Sequence, residues 1–359
     1  MTRKERREER RKRLRSLILL LFLTIVLLST STYAWFTSNR TVNINPIDVN
    51  VSTASGLQIS TNASEWKTLI TTTDITSVTG YQNNLNQLPS LLSPVSTAGL
   101  PVSNTGYLDF YIGTVAGDDT NGGAMSLTAV QSQQEIGQSA AAGTSGDFIA
   151  FDIFLKVDIA SDIYLDLGSG VTVTSNQVDK GLQYASRYAF VIEGTVAGTD
   201  SAANAQALHG ATAVYVIEPN YDGHTSTGVN NASTYYGIST TAATSGVAAV
   251  SYVGVKAAIS TPIELHATNT GATYDSNKFA PITNLYRTNV AYSTADASNY
   301  AAYKGNTAES HYLNVFSLPA GITKVRVYMW IEGQDVDCEN AASGAYLTYK
   351  IGLTLDDDE

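Results

Sequence analysis

The chain has 359 residues, 43% of them hydrophobic, and carries 32 Asp and Glu against 21 Lys and Arg, a formal net charge of −11. So acidic a surface repels nucleic acid and anionic membrane and favours solubility or cation binding. A lone cysteine, Cys338, excludes an internal disulfide, so stability has to come from packing or assembly rather than covalent staples.

The chain opens on a basic stretch, residues 1–16, in which nine Lys and Arg and three Glu fall between Arg3 and Arg15. Leu17–Leu28 (LILLLFLTIVLL) follows, uncharged and with Thr24 its one polar residue. The small residues Ser29–Ala34 then place Thr32 and Ala34 as the −3 and −1 positions of a signal-peptidase site. This order is that of a secretory signal, which predicts export and cleavage between Ala34 and Trp35. Leu17–Leu28 is short for a span, which takes roughly 20 apolar residues. Retention as an anchor, the one route by which this chain would hold a membrane, is the alternative. Removal of residues 1–34 leaves 12 Lys and Arg (21 less nine) and 29 Asp and Glu (32 less three), a net charge near −17.

Beyond Ala34 strand signals dominate. Val42, Ile44, Ile47, Val49 and Val51 form an apolar series whose alternation Pro46 interrupts, which suits an edge, a bulge or a one-sided pairing. Further strand patterns cover Tyr107–Val115, Met125–Val130, Phe148–Ile159, Ile163–Leu167, Val171–Thr174 and Tyr188–Glu193. Ala213–Ile217, Val247–Lys256, Thr323–Glu332 and Tyr346–Leu355 continue the series. Their period-2 patterning predicts strands packed on one face. Helix signals are few: Ser175–Ser186, and Asp200–Leu208 behind an Asp cap. The sum is an all-β chain, a jelly-roll-like β-sandwich with one or two short helices behind an N-terminal hydrophobic signal helix. Gly117–Gly146 and roughly residues 194–314 are polar and weakly patterned, reading as long loop insertions on the 35–359 domain or, over 195–314, as an inserted loop-rich subdomain.

Catalytic constellations are missing. The four His (His209, His224, His266 and His311) are too far apart for H-E-x-x-H, which needs two imidazoles one helical turn apart. There is no G-x-S-x-G, Walker loop or dinucleotide fingerprint, and Cys338 has no placed base. A loose Ca²⁺ site is open at Asp118 and Asp119, or at Asp335, Asp337 and Glu339, with plain acidic turns as the competing reading. No other cofactor is expected. Leu318-Pro319-Ala320-Gly321 has a superficial likeness to a sortase signal but lacks its Thr and hydrophobic tail. The 21 Tyr could serve glycan stacking, although Tyr107, Tyr111, Tyr164 and Tyr328 lie in strand-like runs, where cross-strand Tyr belong.

Tyr33-Ala34-Trp35-Phe36, followed at once by Val42–Val51, resembles the start of the TasA/camelysin family of Gram-positive secreted proteins. Near the other end, the run from Val325 to Cys338 (VRVYMWIEGQDVDC) resembles the acidic turn that closes a hydrophobic strand in relatives of that family. The resemblance implies cleavage by a signal peptidase of the SipW type and a jelly-roll domain. It also implies an extracellular biofilm fibre, built by self-association as a freed N-terminal strand pairs with the next subunit. Trp35 and Phe36 would be its aromatic anchors, with Val42, Ile44, Ile47, Val49 and Val51 as the assembly strand. The expected role is therefore a non-enzymatic subunit of an extracellular fibre or cell-surface matrix. The alternative is a membrane-anchored surface protein that binds glycan or a protein partner through its loops.

Overall fold

The computed structural model of the chain describes residues 42–51, 56–81, 84–101, 106–119, 124–131, 145–166 and 168–220, then 253–255, 263–265, 279–281, 285–287, 290–291, 311–333, 335, 337–338 and 343–355. The chain divides into two units, Met1–Ala34 and Trp35–Glu359, and all described residues belong to the second.

In chain order the strands begin with β1 (Val42–Val51), β2 (Gln58–Ser60), β3 (Leu69–Thr71), β4 (Leu91–Leu92), β5 (Ser96–Pro101), β6 (Leu108–Asp119) and β7 (Ala124–Gln131). Next come β8 (Ser145–Gly146), β9 (Ile149–Val157), β10 (Ser161–Asp166), β11 (Gly170–Val173), β12 (Ser186–Val196) and β13 (Ala213–Glu218). Short strands β14 (Val253–Val255), β15 (Ile263–Leu265), β16 (Phe279–Pro281), β17 (Leu285–Arg287) and β18 (Val290–Ala291) follow. The series ends with β19 (His311–Leu318), β20 (Gly321–Ile331) and β21 (Tyr346–Leu355). Two short α-helices, α1 (Thr72–Thr76) and α2 (Ala202–Gln206), and a 3₁₀ turn at Leu182–Ala185 are the helical content among the described residues. The chain is all-β, as its patterning predicts.

Two large sheets carry the fold. The first runs β19-β10-β21-β1-β4-β8, with β11 beside β21 and β3 beside β1; the second runs β18-β17-β13-β12-β20-β9-β2. One apolar core joins them: Val49, Ile163, Leu347, Ile351 and Leu353 of the first sheet pack with Phe151, Ile153, Phe190, Val325 and Met329 of the second. Each such side chain, fully buried, contributes roughly 1.5–3 kcal/mol relative to exposure.

The second sheet departs from the expectation of one buried face. Every residue of β20 is buried, as are Ile149–Leu155 of β9 and Ser186–Glu193 of β12. Its far face is covered by a second cluster in which Phe110 of β6 stacks on Phe148 with centroids 4.3 Å apart, and meets Trp330 edge-on at 5.4 Å. Leu108 and Phe110 of β6 supply that cover, with Val95 in the same cluster. Tyr328 belongs to this layer, and its hydroxyl accepts a hydrogen bond from Leu108 N at 3.3 Å. Tyr111 is buried as well.

Ser175–Ser186 is not a helix; only Leu182–Ala185 turns, as 3₁₀. Asp179 accounts for the difference. Its Oδ1 accepts from Gly181 N at 2.8 Å and from Gln183 Nε2 at 3.0 Å, and Gly181 takes φ +79°. That local bonding competes with helical pairing. α2 does form where Asp200–Leu208 predicts it, though Ser201 rather than Asp200 caps it, accepting from Asn204 N at 3.2 Å. Leu318-Pro319-Ala320-Gly321 is the turn between β19 and β20, where Gly321 at φ +134° passes so close to Val196 that a Cβ would lie 2.2 Å from its carbonyl oxygen. Within the expected 195–314 insertion, β13 and β17 extend the second sheet, and most of the remaining residues lie outside the described ones.

Candidate functional site

β1 occupies the interior of the first sheet. On one side it pairs in parallel with β21, from Asn43 opposite Tyr346 to Val51 opposite Leu353. On the other it pairs antiparallel with β3 and β4. The register shifts between Asn45 and Ile47, so Pro46 marks a bulge inside a central strand rather than an edge. An extra residue there converts the three-residue step from Ile44 to Ile47 into a continued facing toward the core. Val42, Ile47, Val49 and Val51 are buried and Ile44 packs beside them. Thr72 closes the bulge: its Oγ1 accepts from Ile47 N at 2.7 Å and donates to Ile47 O at 3.2 Å. Trp35 and Phe36, with Ala34 and Leu17–Leu28, lie outside the described residues.

The acidic turn after β20 surrounds a buried cation. Arg187 of β12 is fully buried, with Nη2 2.5 Å from Asp335 Oδ2 and 3.2 Å from Glu218 Oε1. Glu332 accepts from Trp330 Nε1 at 3.2 Å, and Asp335 Oδ1 accepts from Asp337 N at 2.9 Å. Burial opposes the Arg187 charge, but Glu218, Asp335 and Glu332 outweigh it and hold the guanidinium above its ordinary range. Asp335 is thus the counter-ion of an arginine, and Cys338 is buried. Among the described residues no group of three His, Cys, Asp or Glu is arranged to hold a metal. The side chains of Asp118 and Asp119, and all of Glu339, lie outside the described ones.

A third constellation sits on the far face of the second sheet, in a cavity of about 250 Å³. Its floor is Asp152 of β9, Glu193 of β12, and Lys324 and Arg326 of β20. Tyr81 Oη donates to Asp152 Oδ2 at 2.6 Å, and Arg326 Nη1 donates to Asp152 Oδ1 at 2.7 Å. Lys324 Nζ lies 2.6 Å from Glu193 Oε2 and 3.5 Å from Asp152 Oδ2, and donates to Leu208 O at 2.8 Å. The Arg326 guanidinium carbon stands 5.5 Å from the Tyr107 ring centre and 5.6 Å from that of Tyr328, close enough for cation–π attraction. Tyr107 and the exposed His209 meet edge to face, their centroids 5.9 Å apart.

The two carboxyls diverge. Burial pushes Glu193 up to about 7, with the neighbouring Asp152 charge adding to it and Lys324 opposing. Asp152 is also penalised by burial, but Arg326 and Lys324, with the hydrogen bonds from Tyr81 and Arg326, hold it below the usual carboxylate range. Burial, then Asp152, raises the Tyr81 phenol far above its ordinary value.

No protein-family model, curated protein or solved structure matches the chain.

Sequence reasoning located β1 and the acidic turn but missed the cavity. Lys324 and Arg326 alternate with Val325 and Val327 as solvent-facing charges would. The one available signal was that Asp152, Glu193, Lys324 and Arg326 all interrupt otherwise apolar runs. Among the described residues no helix is long and apolar enough to cross a membrane.

Proposed function

We propose that this chain is a secreted, non-enzymatic subunit of an extracellular fibre or cell-surface matrix, its body a jelly-roll-like sandwich, which assembles by exchanging β1 between neighbours. The observation that supports the reading is the setting of β1. It joins two parts of one sheet through main-chain ladders on both sides, β21 on one and β3 with β4 on the other. Strand addition works by that chemistry, with backbone bonds giving affinity and alternate buried side chains giving register. A β1 from a second copy would meet the same ladders and the same pockets for Val42, Ile47, Val49 and Val51. Swapping of an identical element between protomers costs little, because every native contact is re-formed. The resemblance of residues 33–36 and 325–338 to the TasA/camelysin family points the same way.

A paired-cysteine trap tests the reading. Asn43 and Tyr346 are register partners, so Asn43→Cys with Tyr346→Cys reports whose strand fills the groove. Ladders of interchain disulfides in sedimentable material are expected, together with an N-terminus at Trp35. Internal crosslinks alone, in chains that stay monomeric at every concentration, would overturn exchange.

A further inference from the structure

Three charged side chains meet on neighbouring strands of the second sheet: Glu193 on β12, Lys324 on β20 and Asp152 on β9, all buried. Lys324 Nζ lies 2.6 Å from Glu193 Oε2 and 3.5 Å from Asp152 Oδ2. The β12–β20 register shifts between Ile192 and Gly194, so Glu193 sits at a bulge, a device that re-aims a side chain. Its Oε2 is enclosed yet accepts no directed hydrogen bond, which leaves it able to take a proton. Tyr81 meets Phe154 edge-on at 5.7 Å, with Ala205 and Ile322 in the same cluster, so apolar groups flank the ions. Keeping an ammonium and two carboxylates in such a place is expensive even when they are paired. Condensing the amine with one carboxyl removes two of the charges.

Asp152 is set up to be attacked. Arg326 Nη1 donates to its Oδ1 at 2.7 Å and Tyr81 Oη to its Oδ2 at 2.6 Å. Donors so placed stabilise the negative charge that builds on a carboxyl under attack. Leu208 O anchors Lys324 and Leu85 O anchors Arg326, at 2.8 Å each, which fixes the reacting groups in advance. The two cations keep Asp152 ionised, so a proton has to be brought to it. Glu193, raised to about 7, has the proton affinity that suits a carrier near neutrality.

We infer that Lys324 Nζ and Asp152 Cγ close an isopeptide bond joining β20 to β9, with Glu193 carrying the protons. Glu193 takes one proton from the Lys324 ammonium and passes it to Asp152 Oδ2, and the freed lone pair attacks Cγ. A second Nζ proton follows the same route, the Cγ–Oδ2 bond breaks, and water leaves through the cavity of about 250 Å³. Oδ1 stays as the amide oxygen on Arg326, the third proton stays on nitrogen, and Glu193 ends as it began. Before closure Asp152 titrates as a free carboxylate; after it, Glu193 is the carboxyl that remains of the pair. This is a single self-modification without turnover, and it is independent of strand exchange, since none of its residues lies on β1.

Peptide mapping by tandem mass spectrometry, on the full chain purified in mild detergent and held at neutral pH, tests it. The expected product is a branched pair of peptides joined at Asp152 and Lys324, lighter by one water than the two apart. In Glu193→Gln chains with unchanged far-ultraviolet circular dichroism, the joined fraction at the same time after synthesis should fall by about tenfold or more. Where that variant does not fold, Glu193→Asp, which draws the carboxylate back by one methylene, replaces it, with slower closure again expected. Separate Asp152 and Lys324 peptides in the parent chain would overturn the bond. So would a water lost within the Asp152 peptide alone, the mark of a cyclised aspartate. Equal joining in the folded Glu193 variant would overturn the proton carrier.

Discussion

The two faces of β20 are both buried, and they are built on opposite chemistry. Val325, Val327, Met329 and Ile331 enter the core shared by the two large sheets. Lys324, Arg326, Tyr328 and Trp330 point the other way, toward ion pairs, an aromatic stack and a cavity. The first face tolerates change in proportion to volume, because its cohesion is non-directional. The second is all-or-none: a paired buried charge is acceptable, and an orphaned one is not. One strand thus contributes bulk stability on one side and specific chemistry on the other.

The largest effect is expected where the polar face is broken outright. Arg187→Met strips the counter-ion from Asp335 and Glu218 and should cost about 3–5 kcal/mol, read as a lowered urea midpoint at unchanged slope. If Arg187→Met proves as stable as the parent, the ion cluster does not hold this end of the sheet together. On the apolar face Met329→Ala leaves a void in a fully buried site, with an expected loss of about 2–5 kcal/mol and no change in pH dependence.

Titration sharpens the contrast. Glu193 rises from an ordinary value near 4.5 to about 7 in the folded chain. The native state therefore binds its proton more tightly, and stability should fall as pH climbs between those values, by up to about 3 kcal/mol. Glu193→Gln should flatten that slope in thermal melts from pH 4.5 to 8. Asp152, held below its ordinary value, acts in the opposite sense: its contribution is present above pH 4 and lost in stronger acid. A Glu193→Gln melt series that keeps the full slope would place the titrating group elsewhere. The smallest effect belongs to Tyr328→Phe, which deletes the acceptor for Leu108 N and should cost about 1–3 kcal/mol by leaving a buried donor unpaired.

Much of the fold was legible because β-branched and aromatic alternation survives in the sequence. Tyr188–Glu193, Ala213–Ile217, Thr323–Glu332 and Tyr346–Leu355 all lie where strands form. What patterning hid was the second covered face. A Lys or Arg alternating with apolar residues looks solvent-facing unless its partners are known, and those partners, Asp152 and Glu193, come from β9 and β12, far away in sequence. β19 was missed for a related reason: His311–Leu318 begins inside a polar tract, and its pairing with β10 is a tertiary fact. The bulge at Pro46 was foreseeable from the broken alternation, whereas its closure by Thr72 was not, since a threonine 25 residues on carries no local mark.

Parallel pairing of β1 with β21 also sets a clock on biosynthesis. Ile44 is among the first of the described residues to be made, and its register partner Leu347 is among the last. At roughly 5–20 residues per second, the first sheet lacks its central ladder for tens of seconds after β1 emerges. Through that interval β1 is an apolar strand with an unmatched edge, open to any chain that can pair with it.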